Sequence, residues 1–167
     1  MIIACALPVR LDGRTTLLLW ASDDGADRVV ADGNLVVAFD DLDELRAHAT
    51  TLGLEVEPEP SALVDLDASE RWCRSGGDPD PVLLIDTWNL CWDVSNGSGT
   101  AFEHRSDELD VLYDKLFYAN NLPSVTPPGE RWEPEWPQEQ VAGLRELIGR
   151  GIALVRSSLS ARGPELR

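Results

Sequence analysis

The sequence predicts an α+β domain, an N-terminal antiparallel β-meander packed against several C-terminal helices. Three observations lead there. Up to Phe39 the chain alternates short apolar runs with Asp-Gly and Gly-Asn turn signals. After it, apolar positions recur at three- and four-residue spacing behind capping residues. And 167 residues, 43% of them hydrophobic, suffice for one domain with a buried core.

Ile2 to Leu7 reads as the first strand, Asp12-Gly13 as a hairpin turn and Thr15 to Trp20 as the second strand. Ser22 to Ala26 reads as polar loop. Arg28 to Ala31, Asp32-Gly33-Asn34 and Leu35 to Phe39 repeat the strand-turn-strand signal, which makes a four-stranded meander. Asp40 is placed to cap a helix whose first turn carries Asp41, Asp43 and Glu44, where negative charge suits the helix dipole. Leu42, Leu45, Ala49 and Leu52 share one face, and Gly53 stops the helix. Leu54 to Glu57 reads as a further strand before Pro58 and Pro60.

Asp67-Ala-Ser-Glu70 has capping-box spacing and predicts a short helix to Arg74. Asp80-Pro81 is an N-cap followed by proline at the first helical position. From Val82 to Val94 the next segment is apolar nearly all round, which predicts a buried central helix, with a buried strand and loop as the rival reading. Asn96-Gly97-Ser98-Gly99 closes it. Ser106 caps a helix with Leu109, Leu112, Tyr113, Leu116 and Phe117 on one face, ended by Asn120-Asn121. Pro123, Pro127 and Pro128 forbid regular structure in the following loop. Pro137 opens a last helix tracked by Val141, Leu144, Ile148, Ile152, Val155 and Leu159 and weakened by Gly149 and Gly151. With strands first and helices after, the helices are expected on one face of the sheet.

The formal net charge is -16. Between Asp23 and Glu70 fourteen acids face only Arg28 and Arg46. Beyond Gln140 the sign reverses, with Arg145, Arg150, Arg156, Arg162 and Arg167 against Glu146 and Glu165. Such a field disfavours nucleic acid and anionic membrane and draws a cationic partner. Cys5, Cys73 and Cys91 are an odd set with no close pair, which fits free thiols in a reducing compartment. No apolar run approaches the roughly 18 residues of a membrane span. The apolar start lacks a basic region before Cys5, so a strand in a cytoplasmic protein is expected in place of a leader.

Reaction chemistry is hard to find. His48 and His104 are the only histidines and no cysteine pair has ligand spacing, so no zinc site is expected. Asp86 and Asp93 on one helix, with Asp110 and Asp114 on the next, could hold a hard cation if the helices face each other; solvated faces explain them as well. Cys91 with His104 is the one Cys-His pair to consider, and its cysteine sits in an apolar segment where a thiol is inert packing. No nucleophile elbow or phosphate loop is present, and no cofactor is expected. Trp72, Trp88 and Trp92 lie in segments that read as core. Trp132 and Trp136 sit among Glu130, Glu133 and Glu135, where they either pin the loop or meet a basic surface.

The stretch Tyr113-Asp-Lys-Leu-Phe-Tyr-Ala-Asn-Asn-Leu-Pro-Ser-Val-Thr-Pro127, followed by Trp132-Glu-Pro-Glu-Trp136, resembles small acidic actinobacterial proteins, the immunity proteins of polymorphic toxin and contact-dependent inhibition systems. The likeness spans Leu83 to Leu159. It implies a cytoplasmic protein that binds and blocks a cognate toxin domain, often a cationic nuclease; with no catalytic set assembled in the sequence, an enzyme is not expected. Combined with the charge, it makes Asp40, Asp41, Asp43, Glu44, Asp65 and Asp67, with Glu130 and Trp132, the expected partner-binding residues. Two other classes remain open. A DNA mimic or acidic adaptor would carry a long regular ridge of carboxylates. A small carboxylate-dependent enzyme would carry a concave pocket with paired carboxylates of raised pKa.

Overall fold

The computed structural model describes residues 2–159. Arg162, Glu165 and Arg167, part of the charge reversal beyond Gln140, lie outside the described residues. Strands β1 (Ile2–Leu11), β2 (Arg14–Asp23), β3 (Ala26–Val29), β4 (Ala31–Asp32), β5 (Leu35–Val36) and β6 (Ala38–Phe39) come first. Helix α1 (Leu42–Thr51), strand β7 (Val64–Asp65) and helices α2 (Leu66–Ser75), α3 (Pro81–Ser98), α4 (Asp107–Ala119) and α5 (Gln138–Ser158) follow. The fold is α+β, as the sequence predicts.

The β1–β2 hairpin is the spine of the sheet, in register from Ile2↔Asp23 to Leu11↔Arg14. Its turn, Asp12-Gly13, has φ of 54° and 75°, the doubly left-handed geometry that matches strand twist. Asp24-Gly25 repeats it with 50° and 83°, so the segment that reads as loop is a second tight hairpin leading into β3. β6 pairs with β2 beyond β3, while β4 and β5 form a small separate sheet. The meander is therefore broken after β3. On the other side, β7 runs parallel to β1, and Val56 makes a single parallel bridge to Ala4. The backbone N–H groups of Glu57 and Ser61 donate to the carbonyls of Ala4 and Ala6, so an irregular segment covers the β1 edge and the main sheet is mixed.

Alternation along β1 and β2 sorts their side chains between two cores. Ala4, Ala6, Leu19 and Ala21 pack with Leu45 and Ala49 of α1. Val9, Leu11 and Leu18, with Leu7 and Trp20, pack with α2 to α5. Helices thus lie on both faces of the sheet, a correction to the one-sided packing expected. α3 is one helix of 18 residues, which removes the strand-and-loop rival. It has Asp80 as cap and Pro81 at its start, and Leu84, Trp88, Cys91 and Val94 are buried along it. Two caps differ from expectation because residues distant in sequence claim the expected carboxylate. Asp41 caps α1, because Asp40 pairs with Arg14. Asp65 caps α2, because Asp67 turns back to the β1–β2 turn.

The proline-rich loop is pinned at both ends. Asn121, with φ 51°, clamps Trp132: its Nδ2 donates to the Trp132 carbonyl at 3.0 Å and its Oδ1 accepts from the Trp132 N–H at 2.6 Å. Lys115 donates to the Glu135 carbonyl and lies over the Trp136 ring, 4.9 Å from its centroid. Trp136 packs on the core and Trp132 stays 43% exposed, so only one of the two tryptophans anchors the loop by burial.

Candidate functional site

The eight residues expected to meet a partner fall into two separate groups. Asp40, Asp65 and Asp67 gather at the turn end of the β1–β2 hairpin, with Asp41, Asp43 and Glu44 beside Asp40 at the start of α1. Arg14 Nη2 contacts both Asp40 oxygens at 2.5 and 2.6 Å. Asp67 accepts from the N–H groups of Asp12 and Gly13 at 2.7 and 2.8 Å. Asp41 accepts from Asp43 and Glu44 N–H, and Asp65 from Ala68 N–H. These four carboxylates hold local structure. Asp43 and Glu44 point outward, Asp43 meeting only a loose 3.9 Å pair with Arg46.

Glu130 and Trp132 lie elsewhere. With Tyr118, Val125, Thr126, Pro127 and Arg131 they line a shallow cavity of about 320 Å³ on the proline loop. Lys115 ties that loop to Gln140, whereas Arg156 reaches Asp12. Those two α5 residues are sixteen positions apart, about 24 Å along the axis. The acids between Asp23 and Glu70 are similarly divided. Asp23, Asp24 and Asp27 sit at one end of the ten-residue β1–β2 ladder and Asp40 and Asp67 at the other, about 30 Å away. They do not form the single ridge of a DNA mimic.

Another concavity involves none of these eight. It is a groove between the α3 face and the β1–β2–β3 strands. Two cavities of about 350 and 490 Å³ share Trp20, Asn89 and Asp93 in their walls. Cys5, Leu7, Val64, Leu90 and Asp86 line one half. Gly25, Asp27, Trp92, Asn96 and Tyr113 line the other. Trp20 Nε1 donates to Asp93 Oδ2 at 2.8 Å, and Tyr113 Oη donates to Asn89 Oδ1 at 2.9 Å. Asn96 Nδ2 donates to the Asp27 carbonyl, fixing α3 to β3. Among the described residues, no lysine, arginine or histidine lines either half. Trp92, expected in the core, is instead 36% exposed at this groove.

Sequence reasoning missed the groove, although a signal existed. Asp86, Asn89, Asp93 and Asn96 are spaced three, four and three, a polar stripe down one side of an otherwise apolar helix. The stripe marks the side of α3 that borders the groove. Strand partners such as Trp20 and Asp27 carry no comparable mark.

Burial pushes the Asp93 pKa up to about 6; the Trp20 hydrogen bond opposes the rise and the nearby Asp27 charge adds to it. Burial, then the Asp80 charge, also raises the Asp86 pKa. A carboxylate whose folded-state pKa is raised binds its proton more tightly when folded. Its contribution to stability is then full below the unfolded value of about 4 and is lost as pH rises through about 6. Asp93→Asn keeps an acceptor for Trp20 and removes the charge. It should stabilise the protein at pH 7.5 by about 1–2 kcal/mol, two pKa units discounted for partial solvation. Urea unfolding at pH 7.5 and pH 4 measures this, and the gain should vanish at the lower pH.

The other candidate chemistry does not assemble. Asp86, Asp93, Asp110 and Asp114 do not converge; Asp110 pairs with Arg105 at 2.7 Å. Among the described residues, the carboxylates that do converge are Asp12, Asp67 and Glu70, within 4.8 Å of one another. Arg156 bridges Asp12 and Glu70 there, at 2.8 and 3.1 Å. The guanidinium supplies the positive charge the cluster needs and holds the Asp12 pKa below the usual carboxylate range. Cys91 is fully buried, and burial pushes its thiol pKa far up, away from the reactive thiolate. His104 stacks between Trp92 and Phe102, at ring separations of 4.4 and 5.4 Å, and no hydrogen bond joins it to Cys91 among the described residues.

No family model matches the chain, and no curated protein matches it. Among solved structures, the C-terminal domain of SatS, crystallised in complex with bromine, is similar over 95% of this chain and 92% of its own, at 15% identity and a TM-score of 0.46.

Proposed function

We propose that this chain is an immunity-type binding protein that neutralises a cationic toxin domain, a nuclease in the reading the sequence favours, by covering its basic site in the cytoplasm. The observation that supports it is uncompensated charge. Asp27, Asp32, Asp41, Glu44, Glu55 and Glu57 meet no Lys or Arg at ion-pair distance among the described residues. A surface of this kind repels itself and accelerates encounter with a basic partner, and complementary charge rejects wrong partners. Asp43 and Glu44, beside the Arg14–Asp40 pair, are the carboxylates at the expected interface with no capping or turn-holding duty. Glu130 and the exposed Trp132 offer a second contact at the far end of α5.

Affinity capture from the native cell at low salt tests the reading. The expected result is a basic protein that co-purifies stoichiometrically and elutes between about 0.1 and 1 M salt, as the screening length shrinks from about 10 to 3 Å. A partner that is acidic, or that stays bound at high salt, contradicts it. The α3 groove favours a second reading, a small carboxylate-dependent enzyme with Asp93 as its proton-exchanging group, since a carboxylate with a pKa near 6 suits acid–base work. Asp93→Asn separates the two, because it should abolish turnover in the second case and leave partner capture intact in the first.

A further inference from the structure

The geometry points to the α3 groove as a binding site for a linear aliphatic polyamine, independently of any protein partner. Four features of the groove match that chemistry. Its charges are all of one sign: Asp86, Asp93 and Asp27 contribute carboxylates, and no basic side chain among the described residues lines it. Those charges are spaced along a line. Asp86 and Asp93 are seven positions apart on α3, about 10 Å along the helix axis. Asp27 extends the row past Asp93 onto β3. Between them the floor is apolar, from Leu7, Val64 and Leu90, and suits methylene segments between ammonium groups. Near Asp93 the walls are aromatic, from Trp20, Trp92 and Tyr113, whose π-faces attract alkylammonium.

The site is also pre-organised. Trp20 Nε1 fixes one oxygen of Asp93, leaving the other for a ligand. Tyr113 Oη holds the amide oxygen of Asn89, so its amide nitrogen is free of that bond. A compact divalent metal ion could not engage all three carboxylates at once, because among the described residues they form no group at ligand distance. An extended polyamine spans them. A monoamine would engage Asp93 alone and forgo the rest.

Isothermal titration of the full chain with spermidine, cadaverine, n-butylamine and magnesium chloride tests the site at physiological ionic strength. Spermidine should bind one per chain, at least tenfold more tightly than n-butylamine or magnesium. Cadaverine should fall between. Asp86→Asn and Asp93→Asn should each weaken spermidine about tenfold, whereas Glu146→Gln, the same charge change on exposed α5, should leave it unaltered. Affinity should fall several-fold from pH 7.5 to 5 as Asp93 protonates. The groups facing Asp93 are Asp27 from β3, Cys5 from β1, Tyr113 from α4 and Asp86 on its own helix, none of them cationic. Spermidine binding that matches magnesium, or that Glu146→Gln weakens as much as Asp93→Asn does, overturns the proposal. Asp93→Asn is expected to fold at least as well as the parent, so lost binding in it reads as a lost contact.

Discussion

Replacing Gly97 by alanine should destabilise the protein by about 3–5 kcal/mol, the largest effect expected of any single added methyl group here. A Cβ at Gly97 would lie 1.7 Å from the Val29 carbonyl oxygen and 2.8 Å from its carbon. Both are backbone atoms of β3, a strand locked into β2 from Trp20↔Val29 to Asp23↔Ala26. No rotamer relieves the clash, so α3 must withdraw from the sheet. That withdrawal would break the Asn96–Asp27 tether and open the core around Val29 and Val94. In a domain of this size each kcal/mol shifts the melting point by about 2–4 °C, so a fall of about 10 °C is expected by circular dichroism. A variant melting within about two degrees of the parent would mean the helix and strand do not approach this closely. The same contact bears on the width of the groove, because Asp27 of β3 and Asp93 of α3 both line its wall.

The two glycines of α5 should respond in opposite directions. A Cβ at Gly149 would meet nothing within 4 Å, and Gly149→Ala should stabilise by about 0.5–1 kcal/mol through helix propensity. Gly151 faces Cys91, whose Sγ would lie 2.5 Å from the new methyl, with Phe102 at 3.3 Å. Gly151→Ala should therefore destabilise by about 1–3 kcal/mol despite the same propensity gain. Adding Cys91→Ala removes the clashing sulfur and should recover much of the loss, a coupling that a double-mutant cycle in urea measures. Equal effects at the two glycines would contradict the packing of α5 on α3.

Most of the architecture is legible in the sequence, because it rests on local rules. Asp80-Pro81, Ser106 and the turn pairs act within four residues and appear where expected. Apart from the Asp24-Gly25 hairpin, whose signal is local, the failures at Asp67, Asp40, Gly151 and Ser61 share one physical origin, competition from distant residues. Asp67 looks like a helix cap and becomes the acceptor for a hairpin turn 55 positions away. Asp40 leaves its cap for Arg14. Gly151 reads as a weak point and is a close-packing site for Cys91. Leu54 to Glu57 reads as a strand and meets β1 through Val56 and Glu57, whereas Ser61, beyond two prolines, carries no strand signal and still donates to the β1 edge.

The candidate site is less legible still. Asp40, Asp41, Asp43, Glu44, Asp65 and Asp67 group by nearness in sequence, and four of them do structural work. The groove draws on β1, β2, β3, β7, α3 and α4, so only its α3 stripe can be read from one dimension. A carboxylate such as Asp93, held in a partly buried groove at a cost to stability, fits a site kept for a ligand and not for folding.

Growth of cells expressing the captured basic protein, with and without this chain, is the most direct test of the proposed function. Co-expression should restore growth, and Asp43→Asn with Glu44→Gln should reduce protection by slowing association, with the fold unchanged by circular dichroism. Killing that is equal with and without the chain would contradict the immunity reading outright.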